Sequence, residues 1–306
     1  MQTKALKAPY IHLELNNNTR ECRNKVMEAW LLYDKFRMER NINYINIYFE
    51  ECKKRNIELK LILIEDVEFG IRNNKCNLFY KNKKCSMPQF VIMRTINPLL
   101  TKHFELMGVP VFNNSFVSTI CNDKQKTYQY VSKANVEIMD TSFIKKGTST
   151  SIKYPSIVKP SFGSGGENVF LVKNEYEFKK AINSISDESI VIQKPASDLG
   201  KDLRVYVLKD KIIASILRVS NSDFRSNYSL GGLAEVYNLN QEEKSIVYKI
   251  IEMFDFSLVG IDFVFHRGKM VFNEIEDVVG ARMLYSKTDI NIVSLYLDFI
   301  LSELKS

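Results

Sequence analysis

Four groups of polar residues could do chemistry in this sequence. The first lies in Tyr154 to Asn168, YPSIVKPSFGSGGEN, where the apolar Ile157 and Val158 deliver Lys159 into a loop containing Gly163, Ser164, Gly165 and Gly166. Glycines free the backbone to turn its amides onto an anion, and a lysine beside them adds a point charge, so the stretch suits a phosphate. The lysine precedes the glycines, which fits neither the P-loop nor the dinucleotide-binding pattern. An apolar run resumes at Val169 to Val172, and the expectation is a strand, a glycine turn and a second strand, a hairpin able to close over a nucleotide. A plain turn is the alternative when this stretch is taken alone.

The second group is Asp202 and Arg204 in LGKDLRVYV, two apart and so on one face of a strand, with Arg218 at the end of the next strand. The third is the loop NSDFRSNYSLGG, where Arg225, Asn227, Gly231 and Gly232 lack any apolar rhythm. A forked guanidinium, an amide and paired glycines suit an oxyanion better than they suit a merely solvated loop. The fourth is Asp262 in GIDFVF with Glu274 and Glu276 in MVFNEIED. Alone they could be surface charges. Set in apolar strands, three like charges without a cation would cost more than a typical margin of about 5–15 kcal/mol allows, and hard oxygen ligands match Mg²⁺, with Mn²⁺ as the related choice.

Bulk properties narrow the class. The 306 residues suffice for two or three packed units, and 45% hydrophobic with 26% charged residues is ordinary for a soluble protein. The net charge of +7 is scattered among acids, so no nucleic-acid partner is expected, and the KNKK run at Lys81 to Lys84 reads as a hairpin turn. Five dispersed cysteines without a C-x-x-C pair read as reduced thiols, and three distant histidines offer no zinc spacing. No apolar run approaches the roughly 20 residues of a membrane span, which points to a cytoplasmic protein.

The elements that must position these groups follow from periodicity. Residues 1–28 read as an N-terminal extension. Trp30 to Tyr33 and Leu59 to Ile64 are strands flanking a helix with Tyr44, Ile45, Tyr48, Phe49 and Cys52 on one face, a βαβ unit that implies a parallel sheet. Phe90 to Met93, a helix over Leu99 to Leu106 and Val109 to Phe112 extend it, giving an α/β domain over 29–114. A connecting helix at Lys124 to Ala134, the glycine hairpin, a helix at Glu175 to Ile185 and the strand Ser189 to Gln193 occupy 115–195. Strands at 203–208, 211–218, 258–265 and 269–275 and helices at 241–254 and 290–304 make an α+β unit over 196–306.

In combination these motifs resemble a known family. VKPSFGSGG, a strand ending IQKP, DLR, DFRSN followed by GG, GID and NEIED occur in the order seen in ATP-grasp ligases, and the DFRSN segment is most similar to the RimK-type carboxylate–amine ligases. The similarity runs from Phe90 to the C-terminus, the segment RTINPLLTKHFELMGVPVFNNSFVSTICNDKQKTYQYV included. The resemblance implies the ATP-grasp fold, α/β followed by α+β. It implies that ATP phosphates are bound by Lys159, by the loop Gly163 to Gly166 and by Lys124, and the adenine by the hinge Gln193, Lys194, Pro195 and Ala196, with Asp202 near the ribose and Arg204 beside it. Arg218, Arg225 and Asn227 would stabilise the transferred phosphoryl group, and Asp262, Glu274 and Glu276 would hold Mg²⁺. The implied reaction joins a carboxylate to an amine through an acyl phosphate, with an amino acid, a peptide or a protein as acceptor. A nucleotide-binding scaffold without turnover and a homo-oligomeric state both stay open.

The chain departs from the family's metal strand, E-V-N-x-x-P-G, by carrying Glu276 in place of the asparagine and Val279 in place of the proline. Arg282, just beyond, is a candidate for holding a substrate carboxylate or is simply a surface arginine.

Overall fold

A computed structural model describes residues 26–163, 168–220 and 233–305. In its first unit, β1 (Met27–Tyr33), α1 (Lys35–Arg40), α2 (Ile42–Lys54), β2 (Ile57–Leu63), β3 (Val67–Arg72), β4 (Lys75–Tyr80), β5 (Lys83–Lys84), β6 (Phe90–Met93), α3 (Pro98–Leu106) and β7 (Val111–Phe112) follow one another. The parallel sheet β2-β1-β6-β7 is the predicted α/β core, and β3-β4-β5 form a separate antiparallel sheet. Leu31 and Ile92 at its centre are wholly buried. Burial on both faces is what a continuous apolar strand requires. KNKK does turn a hairpin, with Lys81 and Asn82 at positive φ between β4 and β5.

The next segment holds α4 (Ser115–Cys121), α5 (Lys124–Ser132), β8 (Thr141–Lys145), β9 (Ser156–Pro160), β10 (Phe170–Val172), α6 (Glu175–Ser184) and β11 (Ser189–Gln193). Its antiparallel sheet runs β10-β9-β11-β8, and the edge strand β8 was not foreseen. The last segment holds β12 (Lys201–Leu208), β13 (Lys211–Val219), β14 (Leu233–Val236), α7 (Gln241–Ile251), β15 (Leu258–His266), β16 (Lys269–Glu276), α8 (Arg282–Lys287) and α9 (Ile292–Glu303). Its antiparallel sheet is β14-β13-β12-β15-β16. Asn240 and Glu243 form a capping box at the start of α7, and the helix stops at Ile251, three residues before the predicted Phe254.

The closing helix α9 packs its Tyr296, Leu297 and Ile300 into a core shared with Tyr44, Ile45 and Tyr48 of α2. Arg55 ties the two helices, donating to Glu51, Ser294 and Asp298. The chain's end is thus stapled to its first βαβ unit. Among the described residues no helix is long and apolar enough to cross a membrane, and Cys52, Cys76, Cys85 and Cys121 are unpaired.

Candidate active site

A cleft of about 580 Å³, within the range of small-molecule sites, collects most of the predicted residues that the structure describes. Lys124, Lys159, Gly163, Gln193, Lys194, Ala196, Asp202 and Glu274 line it. Asp262, Arg204 and Arg218 are buried, and Glu276 half-buried, beside them on the sheet β14-β13-β12-β15-β16. Pro195, inside the hinge, does not line the cleft. Ser164, Gly165, Gly166, Arg225 and Asn227 lie outside the described residues.

Local rules place the two lysines. Lys159 alternates inward on β9 beside Gln193 of β11, because the pairing of Lys159 with Val191 puts Ile157, Lys159, Val191 and Gln193 on one face. Its Nζ donates to Tyr128 Oη at 2.9 Å, Gln193 Oε1 at 3.1 Å and Asn273 Oδ1 at 3.2 Å. Three neutral acceptors do not restore what water gave the charge: burial pulls the ammonium down to about 8, with Glu274 opposing. Lys124 opens α5, where Asp123 caps the helix and accepts from Ser161 Oγ, just beyond β9. That link brings Lys124 Nζ to the Gly163 carbonyl at 2.6 Å and to Glu274 at 3.4 Å. Gly163 takes φ +110°, a conformation that side chains resist.

The acidic residues are set by strand register. Asp202 pairs with Arg218, Arg204 with Asp262, and Asp262 with Glu274 across successive strands. A bulge follows, so that Phe263 opposes Phe272 and Asn273 is the extra residue, turned towards Lys159. One carboxylate oxygen each from Asp262, Glu274 and Glu276 lies within 4.8 Å of the others, a spacing that suits one divalent cation.

The charge balance corrects one step of the sequence argument. Arg204 donates to both oxygens of Asp262, at 2.8 and 2.6 Å, and also reaches Glu276 at 2.6 Å. Arg218 donates to Asp262 at 2.8 Å and to both oxygens of Asp202. The carboxylates therefore do not depend on a metal for all their compensation: two guanidiniums supply part of it, and the extra charge of Glu276 meets Arg204. Burial pushes Asp262 upward, but Arg204 and Arg218 outweigh it and hold the carboxyl near 2, whereas Glu276 is raised by burial despite Arg204, with Asp262 and Glu274 adding to the rise.

Gly260, paired with Glu276, is needed here for space. A Cβ on it would stand 2.6 Å from Val279 Cγ2 and 3.4 Å from Arg204 Cδ. Sequence reasoning missed Tyr128 and Asn273 on Lys159, and Tyr33, Phe36, Arg37, Arg40 and Arg94 in the cleft. Asn273 left a trace, a polar residue breaking the alternation before Glu274; the others read as ordinary helix and strand residues.

Comparison with known proteins identifies the family. The model of the RimK-like ATP-grasp domain matches residues 121–300. The chain belongs to the RimK-like ATP-grasp family. An uncharacterized protein of Mycoplasma genitalium is 29% identical over 92% of this chain and 95% of its own length. A probable alpha-L-glutamate ligase of Methanococcoides burtonii is 25% identical over 82% of this chain and 89% of its own. The fold is that of the D-alanine–D-alanine ligase of Bacillus anthracis complexed with ATP, at TM-score 0.69 and 16% identity, covering 91% of this chain and 97% of that one.

Proposed function

We propose that this protein is an ATP-dependent carboxylate–amine ligase that forms an amide through an acyl phosphate. The observation that carries the reading is the convergence, in one cleft of a chain of this family, of two lysines, Lys124 and Lys159, with Glu274, whose carboxylate groups with those of Asp262 and Glu276 beside the cleft. The lysines suit the phosphates of ATP, the Gln193 to Ala196 segment its base, and Asp202 its ribose. Arg218, with Arg225 and Asn227, suits the transferred phosphoryl group, and Arg204 holds Asp262 and Glu276 in place. Asp262, Glu274 and Glu276 would hold Mg²⁺, which when bound offsets charge on the phosphate oxygens.

The substrates then react in two steps. A carboxylate oxygen bonds to the γ-phosphorus as the bond to ADP breaks, and an amine nitrogen next bonds to the acyl carbon as phosphate leaves and the nitrogen loses a proton. The protein's share is positional and electrostatic, with water kept from the acyl phosphate. No covalent nucleophile is needed, in keeping with the absence of a Ser–His or Cys–His pair from the sequence reading.

ADP release measured with Mg·ATP across pools of carboxylic acids, amino acids and short peptides tests the reading. Release that needs both an acid and an amine supports ligation. Nucleotide binding without any acceptor-dependent turnover would replace it with a nucleotide-binding scaffold, and release only with a protein or peptide acceptor would place the enzyme among modifiers of polypeptides.

A further inference from the structure

The three carboxylates grouped beside the cleft already have cations, and those cations are of two kinds. Asp262 Oδ2 accepts from Arg204 Nη2 at 2.6 Å and from Arg218 Nη2 at 2.8 Å, its Oδ1 accepts from Arg204 Nε at 2.8 Å, and Glu276 Oε1 meets Arg204 Nη2 at 2.6 Å. A carboxylate offers about four acceptor sites, so Asp262 uses most of its capacity within the fold. Arg204 forks onto Asp262 and Arg218 onto Asp202 inside the sheet, and neither arginine lines the cleft.

Glu274 is different. Among the described residues its ion-pair partner is Lys124, whose Nζ stands 3.4 Å from Oε2, while the short bond of that ammonium goes to the Gly163 carbonyl at 2.6 Å. Lys124 thus rests against the carboxylate as a point charge and is not locked to it by a fork. It comes from another element, the first turn of α5, and lines the cleft together with Glu274. The backbone beneath it is fixed: Lys124 N donates to Ser161 O at 3.0 Å, and the neighbouring Asp123 accepts from Ser161 Oγ. The side chain can swing, but its root cannot leave the cleft.

These contacts set four carboxylates, Asp202, Asp262, Glu274 and Glu276, against four cations, Arg204, Arg218, Lys124 and Lys159. A divalent cation entering alone would have to take Glu274 from an ammonium that has no other anion to turn to, and like charges at such range repel. A triphosphate changes the balance, because its oxygens give Lys124 a partner of higher charge and release Glu274.

We propose that Lys124 is the resident counter-ion of Glu274 and bars the acidic group to a bare divalent cation, so that metal is admitted only together with nucleotide. The proposal rests on the nucleotide and metal part of the ligase reading and adds an order of assembly to it. Of the described cations here, Lys124 is the one placed for the exchange. Arg204 and Arg218 are each held between two carboxylates, and Lys159 donates to Tyr128, Gln193 and Asn273.

Titration of the full chain with Mn²⁺ in the absence of nucleotide, read by calorimetry and by the electron-spin signal of free Mn²⁺, tests the proposal. Wild type should bind the ion weakly. Lys124→Met, which keeps a long stem and drops the charge, should bind it about tenfold tighter or more, and Lys124→Arg should stay as weak as wild type. Glu274→Gln added to Lys124→Met should abolish the gain, which ties it to this carboxylate and not to acids elsewhere on the surface. Should circular dichroism show that Lys124→Met does not fold, Lys124→Gln takes its place in the same comparison. An unchanged Mn²⁺ affinity in the folded uncharged variant, an equal gain with Lys124→Arg, or a gain that survives Glu274→Gln overturns the proposal. The ligase reading fails separately, by acceptor-independent ADP release from the wild type in the turnover assay, which the nucleotide-free titrations do not read.

Discussion

Two walls of one cleft handle charge in opposite ways. On the sheet formed by β12 to β16, Asp202, Arg218, Asp262, Arg204 and Glu276 form a continuous chain of ion pairs whose partners are dictated by strand register. On the wall made by α1, α8 and the end of β6, Arg40 and Arg282 have no carboxylate partner among the described residues, and Arg94 has the charge of Asp277 nearby. The first arrangement is needed to fold: each buried charge would be ruinous alone, and together they are tolerated. In the second, Arg94 holds the Val279 carbonyl, while Arg40 and Arg282 are exposed and make no ion pair that the fold requires. Paired guanidiniums buried beside the cleft and unpaired ones lining it thus separate charges that hold the scaffold from charges left open to solvent.

The hardest test of this contrast is Asp262→Ala. It strips the shared partner from Arg204 and Arg218, both almost fully buried, and should cost about 3–5 kcal/mol in urea unfolding as well as ADP release. A loss below about 1 kcal/mol would mean that the ion-pair chain is not structural.

Lys159 provides a second test through pH. Its pKa in the folded chain, about 8, lies below the ordinary value of 10.5, so between these values the unfolded chain holds the proton more tightly. Stability of the nucleotide-free protein should therefore rise from about pH 8 to about pH 10.5, by about 3 kcal/mol relative to Lys159→Met, which lacks the titrating group. Unfolding curves of the two proteins across that window check it; parallel curves would show that Lys159 is not desolvated as described. Gly260→Ala should be milder. Its new methyl meets Val279 and must displace the turn that carries the carbonyl bonded to Arg94, an overpacking cost of about 1–3 kcal/mol.

What the sequence could reveal also divides between the walls. The sheet wall was legible because strands repeat every two residues: Asp202 and Arg204, or Glu274 and Glu276, share a face as soon as the strand is recognised. Their partnership with one another was not, since register between β12, β13 and β15 is settled by the whole sheet: Arg218 was expected to serve the phosphoryl group and Arg204 the nucleotide, and both bind Asp262. The bulge that aims Asn273 at Lys159 is likewise a property of two strands together. The arginine wall was nearly invisible. Arg37 and Arg40 occur in a six-residue helix with no buried residue and hence no apolar rhythm to announce it, and Arg94 follows an apolar strand where a charge ordinarily marks the passage to solvent. Long-range packing, of α9 on α2 and of the Val279 turn on Arg94, carries these residues into the cleft.

The smallest expected effect draws the contrast most sharply. Arg40→Gln removes a charge from a wall with no internal partner for it, so thermal or urea unfolding should shift by no more than about 0.5 kcal/mol, the usual range for an exposed position. Arg218→Gln leaves Asp202 without its bidentate partner and should cost several times as much, about 3–5 kcal/mol. Both replacements turn an arginine into glutamine in or beside one cleft, and they differ in burial and in whether the protein has supplied the opposite charge. Equal losses from the two would show that α1 contributes its arginines to the fold, and the distinction between scaffold charges and open ones would have to be drawn elsewhere.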